Sequence, residues 1–489
     1  MKPTAILLSI ALAFKTIYSR AVDNNPYEIK NHLNIRKVDD PFEIVENDKF
    51  IYRFHCSEEK KVCDGFKNDL EFAFNIISNT FEIYQPISFE VFVDDVTLKY
   101  ALGETLAAVM DTNFISLRVS NNNSLAPYLY PQALVKQLNL NKEIKYKKND
   151  FILVINNCNS LPQYKDKDVR NIMTHEILHG LGFVSIASIS KVIDNDKVKF
   201  EDENDEILFN ENDQYTILPH VVPSYSKKLM EITDEEEYSY EILNTQIKTF
   251  TPFSVFDKYL VSTKTGERIF KDIQFFYREA NEKCFPKDGS PLLLKIASDK
   301  YLSNCFKYLT PNTQKIITNI TKDYFFETDT LGIETIDGEI VTLQTMLGKY
   351  IPGSSVSHMN NPLYDEYYKR IRENGKSSES VKEMLDPTTK TFKIENILEY
   401  YDENYILYFS DEVDFTVEQI LEKLPNNQKH PLIGDGIVKV MKTIGWTEKG
   451  KKRNNKTHYV DETLHLPDSK GYEYLYKRKY ELSKKNKTT

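Results

Sequence analysis

The chain has 489 residues, which is enough for two or three domains of roughly 100 to 200 residues each. Its 63 Lys and Arg residues are outnumbered by 73 Asp and Glu residues, so the formal net charge is −10 at pH 7. This mild acidic excess argues against a nucleic-acid partner, because nucleic-acid binders concentrate positive charge on one face.

The first 21 residues have the layout of a signal peptide. A lysine precedes an apolar run from Ala5 to Phe14, and small or polar residues follow around Ser19 to Ala21. The run is shorter than the roughly 20 residues that a membrane-spanning helix needs, and no other stretch of the sequence approaches that length. We therefore expect a secreted, extracellular protein without a transmembrane segment. A buried first helix is the alternative interpretation of the same stretch.

Residues 22–185 mix helical and strand patterns and end in a strand followed by a helix. The run FILVI (151–155) is short, wholly apolar and rich in β-branched residues, which predicts a buried strand. Asp168 is a candidate N-cap for the helix, and Gly182 stands where a left-handed turn commonly ends one. Three apolar residues at spacing four share one face of this helix: Met173, Ile177 and Leu181.

Three further regions follow along the chain. Residues 186–352 have loose patterning and are predicted to form an inserted subdomain. Residues 353–446 return to dense patterns and include the only tryptophan, Trp446. Residues 447–489 contain twelve Lys or Arg against six acidic residues with little apolar periodicity, which predicts a basic flexible tail.

The five cysteines are consistent with an oxidising compartment. Their spacing predicts two disulfides, Cys56 with Cys63 and Cys284 with Cys305. Cys158 is then left as a free thiol that packs as a small buried hydrophobe. Four sequons give weak additional support for a secreted glycoprotein: Asn122, Asn319, Asn455 and Asn486.

The string HEILH (175–179) carries the chemistry of the sequence. Positions four apart lie on the same face of a helix, so His175 and His179 can direct two imidazoles at one metal ion. Glu176 lies one step round the helix and can reach water on that ion, which makes it the candidate general base. Zinc suits imidazole ligands and lowers the pKa of bound water to about 7, which favours hydrolysis of a peptide bond.

A third protein ligand is missing from this helix. In the metzincin signature H-E-x-x-H-x-x-G-x-x-H a third histidine lies three residues after the glycine, whereas this chain has Ser185 there. A serine hydroxyl is a poor zinc ligand. The site therefore has only two histidines, or its third ligand comes from far downstream.

The residues themselves leave several third ligands open. Asp257 can ligate zinc through its carboxylate, but it lies in an aromatic block that is typical of packing. His220 and Glu235–Glu237 could complete a site with a downstream glutamate, although their acidic surroundings are typical of a solvated face.

The motifs together resemble those of the leishmanolysin-type metzincin metallopeptidases, most closely secreted bacterial and fungal members. In these relatives HExxHGLGF is separated from a later SHxx segment by a long insertion. The order of the motifs matches over about half of the chain. The matching segments are HEILHGLGF (175–183), FSVFDKYL (253–260), GSSVSHMN (353–360), EMLDP (383–387) and IGDGIVKVMKTIGW (433–446).

The resemblance implies a fold and a set of site residues. It implies an α+β, metzincin-like catalytic domain with a mixed sheet and an active-site helix, split by the insertion. His358 would be the third ligand of a single catalytic zinc ion, and Met384 would form the methionine turn beneath the metal. The gaps from His179 to His358 and from His358 to Met384 are both longer than is typical of the family.

These observations predict a zinc-dependent endopeptidase that acts on protein or peptide substrates. Glu176 would take a proton from a zinc-activated water and pass it to the leaving amine. The rival interpretation is a secreted binding or adhesion protein on an inactive metallopeptidase scaffold. Retention of Glu176 argues against the rival, because a purely structural metal site needs ligands but no base.

Overall fold

The computed structural model describes residues 34–37, 42–56, 58–93, 107–110, 112–122, 126–155, 168–192, 207–219, 245–247, 252–271, 292–294, 309–351, 354–385, 387, 392–393, 400–408, 416–424, 429–430 and 432–461. The signal peptide expected at residues 1–21 lies outside these ranges. So do Cys158, Cys284 and Cys305, so their predicted states stay predictions.

The secondary structure alternates between helices and short strands. The strands are β1 (Asn34–Lys37), β2 (Glu43–Glu46), β3 (Phe50–Cys56), β4 (Ile87–Val93), β5 (Ala107–Met110), β6 (Phe114–Arg118), β7 (Tyr128–Pro131), β8 (Asn139–Leu140), β9 (Phe151–Ile155), β10 (Ala187–Val192), β11 (Ile207–Leu208), β12 (Gln214–Pro219), β13 (Thr245–Ile247), β14 (Leu260–Ser262), β15 (Leu292–Leu294), β16 (Leu331–Glu334), β17 (Ile340–Thr342), β18 (Lys349–Tyr350) and β19 (Thr457–Val460). The helices are α1 (Lys60–Thr80), α2 (Gln132–Val135), α3 (Arg170–Leu181), α4 (Pro311–Ile320), α5 (Pro362–Asn374), α6 (Glu379–Lys382), α7 (Val417–Lys423) and α8 (Asp435–Ile444). Two 3-10 turns, Asp257–Tyr259 and Tyr405–Leu407, and a π-helical stretch, Thr321–Phe325, complete the regular structure of the residues described here.

The largest sheet is mixed and has the strand order β1-β2-β3-β4-β9-β5. Strands β3, β4 and β9 run parallel to one another, whereas β1, β2 and β5 are antiparallel to their neighbours. Every residue of β9, the FILVI run, is buried, as the sequence predicts. The protein is therefore an α+β protein with mixed sheets.

Helices α1 and α3 pack against each other beside this sheet. Helix α1 buries an apolar face that includes Leu70, Phe74 and Ile77, and the Phe74 ring stacks on Phe50 of β3 at 4.3 Å. Helix α3 is buried on almost every side, including the predicted residues Met173, Ile177 and Leu181. The site-bearing helix is thus held inside the core.

A second sheet has the order β7-β6-β19-β8, and it corrects the predicted start of the tail. Strand β19 lies in the segment expected to be flexible from residue 447 onward, yet it pairs with β6 and β8. Asp461 is buried and accepts a hydrogen bond from Ser116 at 3.0 Å. Strand β19 and Asp461 are therefore held in place by partners that are distant in sequence, namely β6 and β8.

Residues of the predicted insertion form smaller sheets. Strand β10 pairs with β12, β11 with β18 and β13 with β15, and β14, β16 and β17 form a three-stranded sheet. One hydrophobic cluster joins these elements to the rest of the protein. It includes Ile189, Phe256 and Leu331 together with Phe151 and Ile177.

The C-terminal part of the chain closes over the C-terminal end of α3. The indole Nε1 of Trp446, which follows α8, donates a hydrogen bond to the Leu181 carbonyl at 3.0 Å. Trp446 is buried. The only tryptophan therefore fixes the position of the last turn of the site-bearing helix.

The predicted disulfide between Cys56 and Cys63 is confirmed, and it links the end of β3 to the first turn of α1. Among the described residues, no helix combines the length and apolarity needed to cross a bilayer.

Candidate metal centre

Two glycines allow α3 to approach its neighbours closely and then end. A Cβ on Gly180 would lie 2.7 Å from the Phe151 ring, so the helix can pack on β9 only because this residue has no side chain. Gly182 has φ +119° and its N–H donates to the His179 carbonyl, which ends the helix in the predicted left-handed turn.

The helix begins two residues after Asp168, with Val169 in the N-cap position, and the Asp168 carboxylate accepts the Arg170 N–H.

Three histidine rings converge on one point. His175 and His179 lie one helical turn apart, and their Nε2 atoms are 3.0 Å from each other. His358 comes from a loop after β18, and its Nε2 lies 3.1 Å from the His175 Nε2. His175 and His358 are buried, and ligand atoms of all three residues lie within 4.8 Å of one another. This cluster could hold a metal ion.

The opposite ring nitrogens are all bound to backbone carbonyls. The Nδ1 atoms of His175, His179 and His358 lie 2.6 Å from the Ile406 oxygen, 2.7 Å from the Phe183 oxygen and 2.8 Å from the Ser354 oxygen, respectively. A carbonyl can only accept, so each Nδ1 carries the proton and each Nε2 presents a lone pair to the common point. Metal-binding histidines are oriented in this way.

The rings are neutral near pH 7. Burial, helped by the neighbouring imidazoles, lowers the pKa of His175 well below its usual value. Burial lowers the pKa of His179 to about 4, and burial with the adjacent His179 lowers that of His358 to about 3. Neutral imidazole is the form that binds a metal, so no proton has to leave before binding.

Glu176 lies at the side of the cluster. Its Oε2 accepts the Val109 N–H from β5 at 2.9 Å, and its Oε1 is 3.9 Å from the His175 Nε2. The carboxylate is therefore oriented by the sheet, with one oxygen near the His175 ring. This position fits a group that acts on a ligand of the metal.

Comparison with known proteins gives a family. The family model described as SPBPB7E8-like matches residues 29–460. The chain belongs to this family. No curated protein and no solved structure matches the chain.

The matched region of this SPBPB7E8-like chain contains all three histidines and the turn Tyr405–Leu407 that supports two of them. The Ile406 carbonyl accepts from His175, and the Leu407 carbonyl accepts from the N–H of Met359, the residue after His358, at 2.8 Å. One short turn therefore holds His175 of the helix and the loop of His358 together. The sequence offered no signal for this turn, because its contacts are made by backbone carbonyls.

Met384, the residue proposed for the methionine turn, is buried in the hydrophobic core. Its N–H donates to the Val381 carbonyl and its own carbonyl accepts from Lys393. The contacts to the Nδ1 atoms of the three histidines come from the carbonyls of Ile406, Phe183 and Ser354. A position for Met384 beneath a bound metal stays a prediction.

The rival ligand Asp257 has other partners. Its carboxylate is fully buried and accepts hydrogen bonds from Ser185, Ile186 and Ser254. Burial raises its pKa, although these donors oppose the shift. Among the described residues the group that could hold a metal contains His358 and not Asp257. The other candidates, His220 and Glu235–Glu237, lie outside the described residues.

The loop that carries His358 has a strained backbone. Val356, two residues before the histidine, has φ +72°, a conformation that β-branched residues rarely adopt. Its N–H donates to the Gln344 carbonyl, and the Gln344 N–H donates to the His358 carbonyl. The loop is therefore held in one conformation by backbone bonds on both sides of the strained residue, as at many functional sites.

Proposed function

We propose that the chain is a secreted zinc-dependent endopeptidase of the leishmanolysin-like metzincin type. The observation that carries the proposal is the convergence of three neutral histidine Nε2 atoms beside the Glu176 carboxylate. A metal site with a purely structural role needs ligands but has no use for an adjacent base. The combination favours hydrolysis.

The donor set fits zinc. Two ligands that lie about 2.0 to 2.1 Å from a tetrahedral ion are separated by about 3.3 Å, and the Nε2 atoms here are 3.0 and 3.1 Å apart. Three protein ligands are the usual number at a catalytic zinc, because one position has to stay open. His175, His179 and His358 would hold the ion.

Bound zinc would supply a Lewis acid that polarises a carbonyl and lowers the pKa of water to about 7. Glu176 is placed to accept a proton from the attacking water through Oε1, which lies 3.9 Å from the His175 Nε2, and to return it to the leaving amine. The Val109 N–H holds Oε2 and so fixes the direction of the carboxylate. The Nδ1 hydrogen bonds keep the three imidazoles in the ligand tautomer.

A polypeptide substrate is favoured by the position of β5. Among the described strands β5 lies at the edge of the six-stranded sheet, and its Val109 N–H donates to the Glu176 carboxylate. An extended peptide that pairs with a sheet edge is bound through its main chain, and along β5 it would pass the carboxylate. The Cys56–Cys63 disulfide supports secretion, because disulfides persist in oxidising compartments.

The test measures metal and activity on the same preparation of the full chain. Elemental analysis is expected to give about one zinc per chain, and a peptide library is expected to be cleaved at internal bonds. A chelator should remove the activity and added zinc should restore it. A protein that carries stoichiometric zinc but cleaves no member of the library would support the inactive scaffold instead.

A further inference from the structure

A buried carboxylate, Asp257, is hydrogen-bonded to the segment that follows the histidine helix but does not belong to the three-histidine cluster. The Asp257 side chain is 0% exposed. Its Oδ1 accepts from the Ser185 hydroxyl at 2.6 Å, and its Oδ2 accepts from the Ser254 N–H and hydroxyl at 3.0 and 2.8 Å and from the Ile186 N–H at 3.3 Å. These four donors are all neutral. Burial of a carboxylate is costly unless its oxygens are bound, so this arrangement keeps the donors firmly in place.

The Ser185 anchored in this way is bonded to the loop of the third histidine. Its N–H donates to the Ser357 hydroxyl oxygen at 3.1 Å. Ser357 is buried and directly precedes His358. A continuous chain of hydrogen bonds therefore runs from Asp257 through Ser185 to the neighbour of the loop ligand.

The same segment also supports the second helix ligand. The Phe183 carbonyl, two residues before Ser185, accepts from the His179 Nδ1 at 2.7 Å. Residues 183–185 thus contact His179 on one side and the His358 loop on the other. A shift of this segment would move both imidazoles.

We infer that Asp257, Ser185 and Ser357 are positioning residues that set the distance between His179 and His358. The inference rests on the metal site of the proposed function. In the uninterrupted signature, position 185 would itself provide the third ligand. Here the residue at that position anchors the loop that brings the third ligand from elsewhere. Asp257 acts through Ser185 and does not bind the metal.

Loss of a group that orients a metal ligand typically weakens metal binding by about 10-fold to 100-fold. The Ser185→Ala change removes the bond to Asp257, and Ser357→Ala removes the acceptor for the Ser185 N–H. The Ser116→Ala change is a matched control, because Ser116 is also a buried serine that donates to a buried carboxylate, Asp461. It lies in the β7-β6-β19-β8 sheet and belongs to no contact of the histidines described above.

The experiment titrates metal-free full-length protein with cobalt(II) and follows visible absorption, which reports ligand geometry independently of peptidase activity. We expect Ser185→Ala and Ser357→Ala each to weaken cobalt binding about 10-fold or more and to change the absorption spectrum. Ser116→Ala should weaken it less than about 3-fold. The double variant should lose less than the sum of the two single losses on a logarithmic scale, because both changes interrupt one chain of bonds.

Two results would overturn the inference. In the first, Ser185→Ala and Ser357→Ala bind cobalt as tightly as the wild type does. In the second, their loss of cobalt affinity is no greater than that of Ser116→Ala, which would mean that the network only stabilises the fold. Thermal unfolding of the metal-free variants records that stabilisation separately. A wild-type protein that binds cobalt tightly but cleaves no peptide contradicts the proposed activity and leaves the inference testable by the same titration. A wild-type protein that binds no cobalt contradicts both.

Discussion

The third ligand can be tested by replacing His358 with alanine. His358 is buried, and its Nε2 lies 3.1 Å from that of His175. Removal of the ring therefore takes one of three donors from the cluster and changes no surface side chain. We expect the variant to lose its activity and most of its zinc affinity.

The size of the loss follows from the number of ligands. Structural zinc sites with four protein ligands bind with about 10 to 16 kcal/mol, which corresponds to roughly 2.5 to 4 kcal/mol per ligand. Because about 1.4 kcal/mol is a factor of ten, His358→Ala should raise the zinc Kd about 100-fold to 1000-fold. The two helix histidines would retain a weak site.

The assay is competition for zinc between the protein and a chromophoric chelator, with His430→Ala as the matched control. His430 is also mostly buried, but its ring lies near Glu448 at 3.5 Å and it does not belong to the three-histidine group. The control should keep wild-type zinc affinity. If His358→Ala binds zinc as tightly as His430→Ala does, the convergence of the three rings has no role in metal binding.

The other predictions concern the base, the fold and pH. Glu176→Gln should retain zinc while kcat/KM for peptide cleavage falls at least about 100-fold. Glu379→Gln, at an exposed glutamate, is the control, and loss of zinc from Glu176→Gln would contradict the role of a base. Trp446→Phe should lower the free energy of unfolding by about 1 to 3 kcal/mol in urea titrations, because the buried Leu181 carbonyl loses its donor. Unchanged stability would show that a water molecule replaces the indole N–H. Burial and the neighbouring Asp329 raise the pKa of Asp365 to about 8 from 3.8, so the folded protein holds a proton that the unfolded chain has released. Stability should therefore fall as pH rises from about 4 to about 8, and Asp365→Asn should flatten this part of the profile; an equal slope in both proteins argues against the shift.

The helix part of the site could be predicted from sequence because its chemistry is local. His175 and His179 are related by helical spacing, and Gly182 ends the helix with the expected left-handed conformation. His358 has no such relation to the helix, since it is 183 residues from His175 in sequence, and only the resemblance to known motifs indicated it.

Other parts of the structure had no local signal. The carbonyls of Ile406 and Ser354, which orient two of the histidines, are backbone groups that every residue type has. Strand β19 is a short segment in a basic stretch, and its burial depends on pairing with β6 and β8, which lie more than 300 residues earlier in the chain. Local composition therefore indicated a flexible tail where the fold has a strand.

The position of β19 has a consequence for synthesis on the ribosome. Because this strand lies between β6 and β8, the second sheet stays incomplete until residues 457–460 have left the exit tunnel. The HEILH helix emerges long before the loop of His358 and strand β19, so the nascent chain can complete the histidine cluster and the second sheet only late in synthesis. Pairing over such distances is slow, because the entropy of closing the loops is lost before the contacts form. Premature termination before residue 457 should therefore yield a chain that contains all three histidines but cannot complete the second sheet.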